Sequence, residues 1–142
     1  MKRRPFFFIL LASVLLLSGC VSRSDADEQL AKGCKAGAEL FLENGFEIKD
    51  VKKSTFKTSP EFGNAFREVM LFVKESDGWL EKDEEYKCTF VEEFGFLGSS
   101  YDAEIYQIQI HDQTYGRDGN SILGDMETHA RLTQAVQNAM HE

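Results

Sequence analysis

The apolar segment from Pro5 to Leu17 decides how much of this chain belongs to its folded domain. These 13 residues carry no charge, and Lys2, Arg3 and Arg4 stand directly before them. A membrane-spanning helix needs about 20 apolar residues, so the run is too short for a retained span. A basic start, a short apolar core and small residues after it are the parts of a secretory signal peptide. We therefore expect residues 1–19 to be cleaved and the fold to be built from the rest.

The sequence Leu17-Ser18-Gly19-Cys20 ends that run. It resembles the lipobox of bacterial lipoproteins, and the resemblance covers the export segment alone. It implies that Cys20 becomes the first residue of the mature chain, with a diacylglycerol on its thiol and a further acyl chain, such as palmitate, on its amino group. Two or three acyl chains make a durable anchor, because each buried methylene contributes about 0.8 kcal/mol. An ordinary cleaved signal followed by an unmodified cysteine is the alternative.

The residue after Cys20 bears on which membrane holds the protein. In many enteric-type bacteria an aspartate there retains a lipoprotein in the inner membrane, whereas this chain has Val21. We therefore expect an outer-membrane lipoprotein whose domain faces the periplasm. Residues 20–24 are expected to form the lipidated N-terminus and a short tether, and residues 25–142 a single domain close to the bilayer.

Charge limits the partners of the mature chain. Removal of the first 19 of the 142 residues leaves 123, which suits one domain with a real core. The mature chain keeps 13 of the 16 Lys and Arg against 24 Asp and Glu, a formal charge of −11. Such a chain is repelled by nucleic acid and by anionic head groups, and it attracts a cationic partner. The simpler interpretation is that the charge keeps an exported domain soluble.

Two cysteines, Cys34 and Cys88, remain once Cys20 is assigned to lipid. Export places them in an oxidising compartment, where paired thiols form disulfides. Their spacing is not that of a C-x-x-C redox motif, and no histidine stands at a zinc-ligand spacing from either cysteine. We therefore predict a structural disulfide and no metal site.

Apolar periodicity and turn residues predict an α+β domain. The predicted elements are a helix from about Ala26 to Asn44 capped by Asp25, strands at 46–57, 65–75, 85–94 and 101–113, and a helix from about Met126 to Met140 capped by Asp125. Strands grouped between two helices indicate a four-stranded antiparallel meander with both helices packed on one face of the sheet.

Alternation along the strands assigns their faces. Cys88 shares one face of the third strand with Tyr86 and Phe90, and Cys34 lies on the apolar face of the first helix. A helix packed on a sheet brings such faces together, so the predicted disulfide joins the first helix to the third strand. In the fourth strand alternation predicts two faces: Tyr106, Ile108 and Ile110 on one, and Ile105, Gln107 and Gln109 on the other.

Motifs of catalytic chemistry are missing from the sequence. It has neither a Gly-x-Ser-x-Gly elbow nor a glycine-rich phosphate loop before a helix, and its three histidines are scattered. The acidic runs at 83–85 and 92–93 consist of consecutive residues. Since consecutive strand residues point to opposite faces, neither run is the facing pair that glycoside hydrolysis requires. We expect no catalytic residue, no metal and no cofactor, with an enzyme of cell-wall glycan as a further alternative.

Residues 114–121 are predicted to form a loop with four side chains suited to recognition: Tyr115, Arg117, Asp118 and Asn120. The stretch that begins at Asp112 does not match a calcium-binding loop, whose oxygen ligands alternate and end on a glutamate. Loops rich in Tyr, Asn and Gly contact partners in many binders, and the same residues are common in ordinary turns.

These features predict a non-enzymatic, lipid-anchored envelope protein that acts by binding another protein, as an accessory subunit or an adaptor. The alternative is an inhibitor or immunity-type lipoprotein that neutralises a cationic hydrolase such as lysozyme. Small, acidic, disulfide-bonded lipoproteins include such inhibitors, but no inhibitor motif is matched here. The sequence leaves the partner's identity and the oligomeric state open.

Overall fold

The computed structural model describes residues 20–142, so the predicted signal peptide at 1–19 lies outside the described residues. The elements are α1 (Arg23–Glu39), β1 (Glu47–Ser59), β2 (Gly63–Ser76), β3 (Glu81–Phe94), β4 (Tyr101–Ile110), β5 (Gln113–Asp118), β6 (Ser121–Leu123) and α2 (Met126–Met140), with one 3-10 turn at Phe96–Gly98. Within this range no helix has the length and apolar character needed to cross a bilayer.

The six strands form one antiparallel sheet in chain order, from β1 at one edge to β6 at the other. Helices packed on a sheet were expected, but the predicted four-stranded meander is wrong. Strands β5 and β6 extend the sheet, and they occupy the predicted loop at 114–121. Strand β5 is short, polar and contains a glycine, and β6 has only three residues, so apolar alternation marks neither of them. The turn Gly119-Asn120 that joins them is a two-residue hairpin connection.

The two helices differ in how well their ends were predicted. Helix α1 begins at Arg23 because Ser22, rather than Asp25, is its N-cap: the hydroxyl of Ser22 accepts a hydrogen bond of 3.1 Å from the backbone N–H of Asp25. It ends at Glu39, five residues before the predicted end, and Phe41 beyond it stacks on Tyr115 with ring centroids 3.9 Å apart.

Helix α2 spans the predicted residues, Met126–Met140. The carboxylate of Asp125 accepts a hydrogen bond of 2.8 Å from the backbone N–H of Thr128, as expected of an N-cap. This end was predictable because its signal is local: one capping residue directly precedes an apolar stripe.

The charged residues 81–84 belong to β3, although the predicted third strand begins only at residue 85. Ion pairs with lysines of the neighbouring strand β2, and of β1 beyond it, account for the difference. Lys74 Nζ lies 3.0 Å from Glu81, Lys52 Nζ lies 2.6 Å from Asp83, and Lys49 also pairs with Glu81. Because opposite charges on adjacent strands stabilise their pairing, the hairpin of β2 and β3 extends to a short turn at 77–80.

The core lies between the two helices and one face of the sheet. Fully buried side chains come from both layers: Leu30, Cys34, Val69, Leu71, Tyr86, Cys88, Phe90, Ile108, Leu132 and Val136. Helices α1 and α2 approach closely at Gly33, where an added Cβ would lie 2.8 Å from Cγ of Met140. This core holds both helices against the central strands.

The predicted disulfide between Cys34 and Cys88 is confirmed. Their Cα atoms lie 5.7 Å apart, and both residues are completely buried. The bond joins α1 to the middle of β3, where cross-strand pairing places Cys88 between Val69 and Ile108.

A β-bulge in β4 overturns part of the predicted assignment of faces. Thr89 pairs with Gln107 and Phe90 pairs with Ile105, so Tyr106 is an extra residue between them. One extra residue shifts the alternation. Ile105 is therefore buried with Ile108 in the core, whereas Tyr106 packs in the opposite direction, with its ring 5.0 Å from those of Phe62 and Phe66.

Candidate binding surfaces

The N-terminus of α1 is fixed to the end of β3 through Arg23. Its guanidinium makes a two-point ion pair with Glu92, with N–O distances of 3.0 and 2.5 Å. It also lies 5.5 Å from the ring of Phe94 and 5.9 Å from that of Tyr101. Tyr101 donates a hydrogen bond of 2.7 Å to Glu92, and burial together with that carboxylate raises the tyrosine pKa. Cys20, three residues before Arg23, is therefore held near the connection from β3 to β4.

That connection, residues 95–100, is named here the anchor-side loop. The backbone N–H of Gly95 donates to the carbonyl oxygen of Ser100 at 2.9 Å, which closes the loop. Two apolar side chains at its tip face solvent: Phe96 is 85% exposed and Leu97 is 80% exposed. Cys20 Sγ lies 3.6 Å from the carbonyl oxygen of Leu97, so the predicted lipidation site is beside this tip.

The opposite end of the β2–β3 hairpin carries a second apolar tip, residues 77–80, named here the distal turn. Trp79 is 98% exposed and Leu80 is 57% exposed. The carboxylate of Asp77 accepts hydrogen bonds from the backbone N–H groups of both residues, at 2.8 and 2.7 Å. These bonds lower the pKa of Asp77 and fix the shape of the turn.

Strand β3 separates the two tips. It has 14 residues, which at about 3.3 Å each corresponds to a separation of roughly 45 Å. We name the end with Cys20 and the anchor-side loop the anchor end, after the predicted lipid, and the end with Trp79 the distal end.

The four residues of the predicted recognition loop do not form one open surface. Tyr115 is half-buried against Phe41, and Arg117 is exposed with its guanidinium 3.8 Å from Glu104. Asp118 and Asn120 are exposed near the turn between β5 and β6. That these residues contact a partner stays a prediction, whereas their assignment to a loop is wrong for the three that lie in β5.

A buried carboxylate lies under the distal half of the sheet. Glu75 is completely buried; the hydroxyl of Tyr86 donates to it, and His111 Nε2 lies 2.9 Å from it. Burial opposes the charged form of Glu75, but the hydrogen bonds from Tyr86 and His111 outweigh it and lower its pKa. Lys82 Nζ lies 3.3 Å from the other carboxylate oxygen, close enough for an ion pair but not aligned for a hydrogen bond.

The same cluster is the candidate metal centre among the described residues. Ligand atoms of Glu75, Glu84 and His111 lie within 4.8 Å of one another. The ammonium group of Lys82 lies 3.3 Å from one carboxylate and 3.8 Å from the other, so it already supplies positive charge there. A divalent ion would have to displace it, and we regard the cluster as an internal ion network.

The helix-free face of the sheet carries a shallow groove of about 460 Å³. Its lining is mostly polar or charged, including Glu85 and Lys87, with Met70 and Ile110 as the apolar members. This mixed lining provides no apolar anchor comparable to either tip.

Sequence reasoning did not single out Trp79, Phe96 or Leu97. Signals for them were present, because the tryptophan directly follows the turn sequence Ser-Asp-Gly, and the other two stand between glycines. Large apolar residues inside turn sequences are candidates for exposed contact residues. No family model matches the chain, and no curated protein or solved structure matches it. A functional proposal therefore depends on these surfaces.

Proposed function

We propose that the protein is a lipid-anchored envelope protein that binds a protein partner through the distal turn and catalyses no reaction. The observation that carries this proposal is Trp79, which is 98% exposed at the end of the molecule remote from Cys20. Tryptophan is enriched among the few residues that dominate the energy of protein interfaces. Leu80 stands beside it and enlarges the apolar contact area.

The rigidity and charge of the distal turn favour such a role. Asp77 already orders its backbone, so binding there costs little conformational entropy. The nearest acidic residue of β3, Glu81, is paired with Lys49 and Lys74, and these lysines lower its pKa to about 2. The contact offered at the tip is therefore apolar, and the acidic remainder of the domain attracts a cationic partner.

The anchor in this proposal is lipid on Cys20, with Val21 directing the protein to the outer membrane. Support comes from the lipobox at residues 17–20 and from the exposure of Cys20. Mass spectrometry of the native N-terminus should show an acylated Cys20, and density-gradient fractions should follow an outer-membrane marker. A free thiol at Cys20 would refute the anchor, and co-fractionation with an inner-membrane marker would refute the sorting.

An aromatic photo-crosslinking residue, p-benzoylphenylalanine, in place of Trp79 keeps a large apolar ring at that position and tests the partner. Glu61, exposed in the turn between β1 and β2, provides the matched control position. In the intact envelope we expect a protein adduct from position 79 that is absent at position 61, and Trp79→Ala should abolish co-purification of that protein. Equal labelling from both positions would contradict the proposal. If the captured protein is a cationic hydrolase, the purified domain should also lower that enzyme's activity.

A further inference from the structure

The tip of the anchor-side loop combines two unfavourable features. Phe96 and Leu97 leave most of their apolar surface in water, and Leu97 adopts φ 54°, the left-handed region that a bulky residue rarely occupies. Gly98 follows with φ 72°. Strained backbone of this kind persists where the surrounding structure enforces it, and it is concentrated at functional sites. The backbone conformation of the loop therefore holds both side chains in solvent.

The composition and hydrogen bonding of this loop suit an apolar environment. Its sequence, Gly-Phe-Leu-Gly-Ser-Ser, has no charged residue. The backbone N–H of Gly98 donates to the carbonyl oxygen of Gly95 at 2.9 Å, and that of Ser99 donates to the carbonyl oxygen of Phe96 at 3.1 Å. Such internal bonds reduce the cost of moving backbone groups out of water.

The position of Cys20 next to the loop indicates what the two apolar side chains contact. The chain outside the described residues meets the domain at Cys20, whose Cβ lies 4.0 Å from the Cβ position of Gly98. If residue 20 carries the proposed lipid, the acyl chains attached there enter a bilayer beside this loop. Arg23 fixes this arrangement through its ion pair with Glu92.

We propose that Phe96 and Leu97 insert into the bilayer beside the anchor, so that the membrane holds the domain at two adjacent points. This inference rests on the proposed lipid on Cys20. The loop is uncharged, so its insertion depends on apolar burial and proceeds in neutral lipid at high salt. Two adjacent attachments limit rotation of the domain about a single tether and direct the distal turn away from the membrane.

Tryptophan quenching by brominated acyl chains tests the insertion directly. Trp79 is the single tryptophan of the chain, so the unsubstituted protein reports on the distal turn. The double variant Trp79→Phe/Phe96→Trp moves that reporter to the anchor-side loop. Both proteins are purified with their native N-terminus, checked for acylation by mass spectrometry, and placed in vesicles of brominated or ordinary phosphatidylethanolamine and phosphatidylcholine. A second preparation of each carries a maleimide lipid coupled to an unacylated Cys20.

We expect brominated lipid to quench emission from the Phe96→Trp variant and to leave emission from Trp79 unchanged, with the same result at 1 M salt. Acylated protein whose position-96 tryptophan is not quenched would overturn the insertion while leaving the anchor intact. Protein without acyl chains would refute the anchor, and the maleimide-coupled preparation would then decide the insertion alone. If emission from the tryptophan at position 96 changed with protein concentration and was not quenched by brominated lipid, the loop would contact a second copy of the chain. That result would overturn the proposal.

Discussion

Loss of the Cys34–Cys88 disulfide should reduce the stability of this domain more than most single changes could. The two cysteines are 54 residues apart. In the chain-entropy treatment, a cross-link closing a loop of that length stabilises the fold by about 4 kcal/mol, because it restricts the unfolded chain. Domains of this size unfold with about 5–15 kcal/mol in total. At a urea m-value of about 1–3 kcal/mol per molar, the unfolding midpoint should fall by roughly 1–4 M.

The assay compares urea unfolding of the oxidised protein with that of protein reduced in denaturant and refolded under reductant. The reduced protein retains both sulfur atoms, so it isolates the cross-link from the packing. The variant Cys34→Ala/Cys88→Ala removes the sulfurs as well and should be less stable still, because both sites are completely buried.

Burial adds a kinetic expectation. Since both sulfur atoms are shielded from solvent, reductant should cleave the bond slowly in native buffer and faster as urea opens the fold. A change of less than about 1 kcal/mol between oxidised and reduced protein would refute the entropic reasoning. Rapid reduction in native buffer would refute the described packing of α1 on β3.

Three further predictions concern the backbone, the anchor end and pH. Gly116→Ala should lower the free energy of unfolding by about 3 kcal/mol or more, because the added Cβ would overlap the carbonyl oxygen of Tyr106 at the bulge in β4. The control Gly63→Ala, also at positive φ but in open space, should lower it by about 1 kcal/mol. Equal urea midpoints for the two variants would contradict this prediction. Arg23→Ala leaves the mostly buried carboxylate of Glu92 without its guanidinium partner, and it should lower the free energy of unfolding by about 1–3 kcal/mol in the same assay. The surface change Lys32→Ala should lower it by less than about 0.5 kcal/mol. The pKa of Glu75 is lower in the folded protein than in the unfolded chain, where it is about 4.3. Its contribution to stability is therefore present above a pH of about 4.3 and is lost as pH falls through the folded pKa. The free energy of unfolding should accordingly depend less steeply on pH in this acid range in Glu75→Gln.

The parts of the fold that the sequence predicted are those with local signals. Helix α2 has a capping aspartate directly before its apolar stripe, and Cys88 stands in a strand of regular alternation. The prediction failed where a non-local partner decides. Helix α1 begins three residues before its predicted start, and Arg23 in its first turn pairs with Glu92, 69 residues away. The charged start of β3 pairs with β2, and its acidic side chains form ion pairs with lysines of β2 and of the more distant β1.

The bulge in β4 shows a further limit. Alternation assigns residues to the correct face of the sheet only where the strand has no extra residue. Tyr106 is such an extra residue, and it shifts the alternation by one position. Its structural counterpart is Gly116, the one residue type that the close approach of β5 permits, and the two stand ten residues apart. The sequence alone does not show that Tyr106 and Gly116 are in contact. It also does not show that the distal turn and the anchor-side loop are exposed, because exposure depends on which residues the rest of the fold covers.

One strand, β3, connects every feature of the proposed function. The distal turn with Trp79 precedes it, the disulfide at Cys88 lies near its middle, and the anchor-side loop follows it. A domain held by lipid on a loose tether would be free to lie flat, with its acidic surface against anionic head groups, which repel it. Two apolar attachments at one end of β3 would instead align that strand away from the bilayer. The disulfide then matters beyond stability, because it ties α1, which begins three residues after Cys20, to the same strand that holds Trp79 at a distance of roughly 45 Å.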